Sequence, residues 1–275
     1  MIRPTFMEVL EARIAPALLV VNPISDLIIG AGSTGKTIEL SQMFDPLLDH
    51  PGHTIVTFVL NFDGDPNTPG VQPAEIKLEL FDNEAPLTVQ NFLRYATEDN
   101  SAYLNTFLHR LFDFQGNSEA GMDIIQGGGF PANDIREHID TLTQVHNEFS
   151  ESRPNKAGTI AMAKTGLGAN TATSEWFINI NDNSSILGAD NNSGFTVFGQ
   201  VIQGMDVIER LALLPKANLK GALTDLPVQN MNPDPDNNPG TDSPTPKPEN
   251  LIRITDVKIA APEIGNVQGL SLIHI

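Results

Sequence analysis

The chain has 275 residues, a formal net charge of −18 and no cysteine. That length allows one large domain or two smaller ones, and a hydrophobic share of 40% is enough to build a real core. The acidity disfavours nucleic acid and anionic membrane as main partners, because both attract basic surfaces. The lack of cysteine excludes disulfides, thiolate catalysis and Cys-based zinc sites. No apolar run reaches the roughly 18 residues needed to span a bilayer.

The N-terminus reads MIRPTFMEVLEARIAPALLVV. Glu8 and Glu11 interrupt it and its apolar core is short, so it is a poor secretory signal. Its LEARIAPA stretch resembles the short N-terminal motif of some large exported bacterial surface proteins. We therefore expect residues 1–20 to be a targeting-like or disordered segment and the protein to be exported to the periplasm or cell surface. Residues 21–54 alternate short β-type runs (Asp26 to Ile29, Thr37 to Leu40) with turn residues, which predicts a β-rich lead-in. Gly30 to Thr37 fits the phosphate-loop pattern GxxxxGK[ST]. A nucleotide site also needs a helix facing the phosphates and a later strand ending in Asp. Pro46 and Pro51 follow instead, and we read a Gly-rich turn.

From residue 55 to 260 the pattern is that of one domain. TIVTFVLNF reads as a strand. In EIKLELF, Ile76, Leu78 and Leu80 share one face, with Glu75, Lys77 and Glu79 opposite. APLTVQNFLRYATED reads as a helix: Pro86 suits its first turn, and Val89, Phe92, Leu93 and Ala96 recur at helical spacing. TFLHRLF, GTIAMA, SEWFINI and FTVFGQV supply further strands. GMDVIERLALL is a second amphipathic helix, with Met205, Ile208 and Leu211 on one side. Short antiparallel-type strands with a helix near each end suggest a closed barrel capped by two helices. Composition alone does not choose barrel from sandwich. Residues 215–250, which include NPDPDNNPGTDSPTPKPEN, predict a long Pro/Asn-rich surface loop, and LIRITDVKIA the strand that closes the domain. In the tail 261–275, the last six residues, LSLIHI, are what a transposon end used in sequencing libraries encodes. We expect the natural chain to continue past about Gly269.

Several separate blocks together resemble the cyclophilin family of peptidyl-prolyl isomerases: FLHRLF, DIIQGGGF, GTIAMAKTGLGANTATSEWFINI and GFTVFGQVIQGMDVIERL. The resemblance covers roughly Ile55 to Ala260. It implies a mostly β fold, an eight-stranded antiparallel barrel capped by two α-helices. It also implies rotation of X–Pro bonds in protein substrates as the activity, and assistance to protein folding as its use. The expected partners are proline-containing polypeptides, and the expected oligomeric state is a monomer. Such chemistry needs no cofactor and no metal. It asks for a hold on the proline ring and one donor near the prolyl nitrogen, and an arginine, always charged and rigidly forked, suits that task.

By this resemblance Arg110 is the catalytic arginine, and Gln126 orients it and contacts the substrate carbonyl. Phe177 floors the proline pocket, and Leu187, Phe195 and Ile124 line it. Ala163 and Lys164 fall where substrate backbone binds, and Glu175 stands in place of a common glutamine at the groove. Further departures are visible, among them a longer loop after Lys164. Asp123 occupies the position of a pocket phenylalanine, where a carboxylate would be costly to bury. Phe112, Phe114 or Met122 are then the candidates to fill the space. The link between Arg110 and Gln126 is longer than usual. Ile186 stands where some members carry tryptophan, which predicts weak cyclosporin binding. His109 and His146 have no partners at metal-ligand spacing and read as structural. The glycines after Gln126 read as a tight turn. The alternative function is a low-activity barrel that grips proline segments within a larger surface protein.

Overall fold

The computed structural model describes residues 53–62, 73–97, 101–112, 122–235 and 243–260. The N-terminal segment, almost all of the β-rich lead-in, the Gly30 to Thr37 loop, Phe114 and the LSLIHI tail lie outside the described residues. The chain divides into two units, and the one described here runs Ile55–Ala260.

Within it, the period-two alternation of AEIKLEL becomes a strand buried on one face. Eight strands form a single sheet: β1 (Ile55–Leu60), β2 (Ala74–Leu80), β3 (Arg110–Phe112), β4 (Ile124–Gly127), β5 (Thr159–Met162), β6 (Trp176–Asn179), β7 (Val197–Gln203) and, after a separate hairpin, β10 (Ile254–Ala260). Their spatial order is β10-β1-β2-β7-β5-β6-β4-β3, and every pairing is antiparallel. The residues just before β3 then meet the residues at the start of β10. The Asn105 N–H donates to the Ile254 carbonyl at 2.8 Å, the Ile254 N–H to Thr106 at 2.9 Å and the Leu108 N–H to Ile252 at 2.9 Å. Those bonds tie the two ends of the sheet and close the barrel.

The barrel interior is aromatic. Phe58 of β1 stacks on Trp176 of β6 with ring centroids 5.1 Å apart, and Tyr103 stands edge-on to both. The Tyr103 hydroxyl donates to the Ser174 carbonyl at 2.8 Å, so this buried phenol is not left unpaired. Helix α1 (Pro86–Thr97) lays Val89, Phe92, Leu93 and Ala96 against the core. It has no acidic residue in its first turn, and Glu148 supplies the charge from a later segment. That carboxylate accepts from the Leu87 and Thr88 N–H groups and from the Thr88 hydroxyl. Helix α2 (Met205–Leu211) buries Val207, Ile208 and Leu211. Gly204 precedes it with φ +97°, and a Cβ there would run into the Glu75 carbonyl.

The stretch 215–250 departs from the expected surface loop. Its first part forms a small hairpin, β8 (Lys216–Ala217) and β9 (Leu226–Pro227), with a 3₁₀ turn between them. Ala217, Leu219, Leu223, Leu226 and Val228 are buried there, together with Phe107, Phe130 and Leu251, as a second apolar cluster. The partners come from distant segments, which is how a Pro/Asn-rich stretch acquires a core.

A ladder of buried asparagines braces one side of the barrel. Asn183 donates to the Asn179 side-chain oxygen at 2.8 Å, and Asn179 to that of Asn155 at 3.1 Å. Asn155 donates in turn to the Phe195 carbonyl at 3.1 Å. Asn183 also binds Asp123 twice: it accepts from the N–H and donates to the carbonyl. The Asn183 carbonyl receives the Ile186 and Leu187 N–H groups, so the ladder fixes the turn that presents Leu187 and Phe195.

Two outcomes follow. Phe58→Ala removes a fully buried ring and lowers stability by about 3–5 kcal/mol, read as a shifted urea midpoint at constant m. Asn183→Ala removes the donor to the buried Asn179 side-chain oxygen and the side-chain acceptor of the Asp123 N–H, and costs about 2–3 kcal/mol in the same assay.

Candidate functional site

Because side chains alternate across a strand, each strand that sends one residue inward sends its neighbours outward. Leu111, Ile125, Ile160, Trp176 and Ile178 belong to the interior. Their neighbours meet on the other face. Arg110 of β3 pairs with Gln126 of β4, Gln126 with Phe177 of β6, Phe177 with Ala161 of β5, and Ala161 with Val197 of β7. Five strands thus present one row: a guanidinium, an amide, an aromatic ring and two small apolar side chains.

The apolar end of that row is a distinct cluster. Ile124, Ala161, Phe177, Leu187 and Val197 are buried in it, with Phe112, Met122, Ala163, Ile186 and Phe195 packed around them. Phe195 stands edge-on to Phe177 at 5.9 Å. The structure therefore gathers Ile124, Phe177, Leu187 and Phe195 into one patch, and Phe112 and Met122 do border it. Asp123 does not enter it. That residue lies just before β4, and its carboxylate accepts from Asn181 on the exposed side. The feared burial of a carboxylate in the pocket is thereby avoided. A separate open depression of about 640 Å³, lined by Phe149, Pro154, Ser184 and Asp190 among others, shares only Ile186 and Leu187 with the patch.

Arg110 is half-buried and its guanidinium carbon lies 4.9 Å from the centre of the Phe112 ring. Among the described residues it makes no ion pair and donates no side-chain hydrogen bond. Its charge is held against an aromatic face and keeps its donors unspent. Gln126 donates from Nε2 to Glu175 Oε2 at 2.5 Å. Glu175 also faces His138 Nε2 at 2.8 Å and His109 Nε2 at 3.4 Å. Burial alone would raise the Glu175 carboxyl, but the hydrogen bonds from His109 and His138 outweigh it and hold the group well below the usual carboxylate range. The glycines after Gln126 make room for this arrangement. Gly128 has φ +80°, and a Cβ on it would stand 2.7 Å from the Ser174 carbonyl oxygen; one on Gly129 would stand 2.9 Å from Glu175 Oε1.

Lys164 does more than lend its backbone. Its ammonium donates to the Asn192 carbonyl at 2.7 Å and the Gly194 carbonyl at 2.5 Å, and lies 4.8 Å over the Phe195 ring. Burial lowers its pKa. The side chain straps the loop before β7 against the pocket wall. The Ala163 N–H is already given to the Glu175 carbonyl, at 2.9 Å. The Ala163 carbonyl and the Lys164 N–H have no partner among the described residues. His146 is exposed and stands apart from the row. His138, the third member of the Glu175 cluster, has no sequence signal: it lies 37 residues from its carboxylate, on irregular backbone. Among the described residues no group of three or more His, Asp or Glu is placed to hold a metal ion.

Comparison with known proteins points to one family. A family model described as cyclophilin type peptidyl-prolyl cis-trans isomerase/CLD matches residues 68–232. A peptidyl-prolyl cis-trans isomerase of Acinetobacter baylyi is 38% identical over 141 residues, 51% of this chain and 68% of that one. Peptidyl-prolyl cis-trans isomerase B of Escherichia coli is 35% identical over 140 residues, 50% of this chain and 77% of that one. A crystal structure of a cyclophilin-type isomerase from Cryptosporidium parvum aligns over 76% of this chain and 99% of that one, at 20% identity and a TM-score of 0.46. With the family model spanning more than half of its length, the chain belongs to the cyclophilin-type peptidyl-prolyl cis-trans isomerases.

Proposed function

We propose that the row from Arg110 to Val197 is the surface on which this isomerase turns an X–Pro bond. An X–Pro amide rotates over a barrier of about 18–20 kcal/mol because the twist breaks its resonance. In the twisted state the prolyl nitrogen becomes pyramidal and its lone pair accepts a hydrogen bond. A donor that meets that lone pair only in the twisted state lowers the barrier without tightening ground-state binding. The proline ring sits on Phe177, between Leu187, Phe195 and Ile124, where an apolar ring loses little on leaving water. Arg110, one end of the same row, supplies the donor.

The other residues set the peptide's register. Gln126 spends one amide hydrogen on Glu175 and keeps the second for a substrate carbonyl. Its oxygen is available to accept from Arg110. The Ala163 carbonyl and the Lys164 N–H pair with substrate backbone. The observation that carries this reading is the cross-strand pairing of Arg110 with Gln126 and of Gln126 with Phe177, together with an arginine whose donors are unspent among the described residues. Asp123, whose carboxylate lies on Asn181 and not in the patch, removes one reason to prefer a low-activity binding module. We propose in addition that the protein acts as a monomer on exported clients. Export rests on the LEARIAPA stretch, and cell fractionation of the tagged protein tests it.

Arg110→Ala is expected to lower kcat/KM on an X–Pro peptide by roughly a hundredfold or more, about 2.7 kcal/mol of lost transition-state stabilisation. The NMR exchange or protease-coupled rate reads this. The unfolding free energy from urea titration is expected to stay within about 0.5 kcal/mol of wild type, because the side chain is half-exposed and makes no ion pair among the described residues. Full activity in this variant overturns the assignment. Phe177→Leu, which keeps the patch apolar but removes the ring, is expected to raise KM more than it lowers kcat.

A further inference from the structure

Hydrogen-bond counting fixes the charge on His138. Its Nε2 stands 2.8 Å from Glu175 Oε1 and its Nδ1 stands 2.8 Å from the Ile139 carbonyl oxygen. Both partners are acceptors, and a neutral imidazole has a single N–H. The imidazolium satisfies both contacts, and the neutral ring aims a lone pair at one acceptor or the other. His109 differs. Its Nε2 faces Glu175 Oε2 while its buried Nδ1 has no partner, so it makes one such contact where His138 makes two. An ionised carboxylate accepts and never donates, so it also fixes which way the Gln126 amide points: nitrogen toward Glu175, oxygen away from it.

We propose that His138 is a positioning residue, whose imidazolium pins the Glu175 carboxylate and through it sets the orientation of the Gln126 amide, so that turnover follows the protonation of a histidine on the segment after β4. The functional half of this rests on the role given to Gln126 above.

The surroundings of the ring are few. It meets Glu175 from just before β6, the Ile139 carbonyl of its own segment, and the Phe130 ring at 5.2 Å. His109 reaches the same carboxylate from just before β3, and Gln126 reaches it from β4. Arg136, Glu137 and Asp140, the charged neighbours on its own segment, form no ion pair with it among the described residues. The segment cannot simply retreat when the proton leaves. The Ile139 N–H is bonded to the Gly129 carbonyl at 2.9 Å, so a shift pulls on the glycine turn that follows Gln126. The direction of the pH effect follows. The hydrogen bond to Glu175 raises the His138 pKa, with burial opposing. Its contribution is complete below the ordinary imidazole value of about 6.5 and is lost as pH rises through the raised value.

The test is a pH titration of the full chain by NMR, paired with isomerase rates on an X–Pro peptide. The wild-type His138 ring is expected to titrate above the ordinary histidine midpoint, and Glu175→Gln is expected to lower that midpoint. The Gln126 side-chain amide resonances are expected to move with the same midpoint, and to lose that movement in His138→Gln. Wild-type kcat/KM is expected to fall roughly three- to tenfold across it, as for partial loss of one charge-assisted hydrogen bond. In His138→Gln, or in His138→Asn if the first variant folds poorly, the profile is expected to be flat at the lower value. Gln126 resonances that ignore the His138 titration, or a pH profile unchanged by His138→Gln, overturn the proposal. A wild-type protein without turnover at any pH overturns the isomerase assignment of the site, and the Gln126 resonances then still decide whether His138 positions the amide.

Discussion

A β-sheet has no natural end: each outer strand exposes a row of N–H and C=O groups that must find partners or face water. This chain meets that constraint by bending its sheet until the residues before β3 bond to those at the start of β10. The rest of the structure depends on that closure. It encloses the Phe58, Trp176 and Tyr103 rings, and it brings the short strand carrying Arg110 to the edge of β4.

Closure also gives the sheet two unlike faces. The inner face is packed solid with aromatic rings, each burying a large area. The outer face carries an apolar patch where β4, β5, β6 and β7 lie side by side, and that patch ends at Gln126 and Arg110. A residue on either face is held by the packing of its neighbours on the other. The indole of Trp176 anchors the strand on which Phe177 points outward, and Ile125 does the same beside Gln126. The positions at which chemistry occurs are therefore set by a core they do not touch. The glycines at 127–129 belong to this logic, because the Trp176 and Glu175 side chains occupy the space where their own would stand.

Much of this was legible in the residues. The alternation in β2 and the helix beginning at Pro86 are legible because each is a local pattern with a physical period, and the strand-like blocks that hold Arg110 and Phe177 do form strands. What escaped is non-local. The hairpin at 216–227 was read as surface loop because its neighbours are rich in Pro, Asn and Asp, while its core partners, Phe107 and Phe130, lie some hundred residues upstream. Asp123 was placed in the pocket by position, but backbone just before β4 turns its carboxylate to Asn181. The side chain of Lys164 was credited with no task, since nothing near it announces that it reaches the carbonyls of Asn192 and Gly194. His138 is illegible in the sequence for the same reason: its partner stands 37 residues away.

The pairing of β1 with β10 joins Ile55 to Ala260 and so binds the first strand of the barrel to its last. A nascent chain emerging from the ribosome cannot complete this barrel while residue 260 is still in the exit tunnel, because the seat beside β1 stays vacant until then. Until residue 260 has emerged, that strand lacks its β10 neighbour, and closure must wait for a long-range encounter that is intrinsically slow. The barrel of this isomerase is thus one that closes only when its two sequence-distant outer strands are both free to meet.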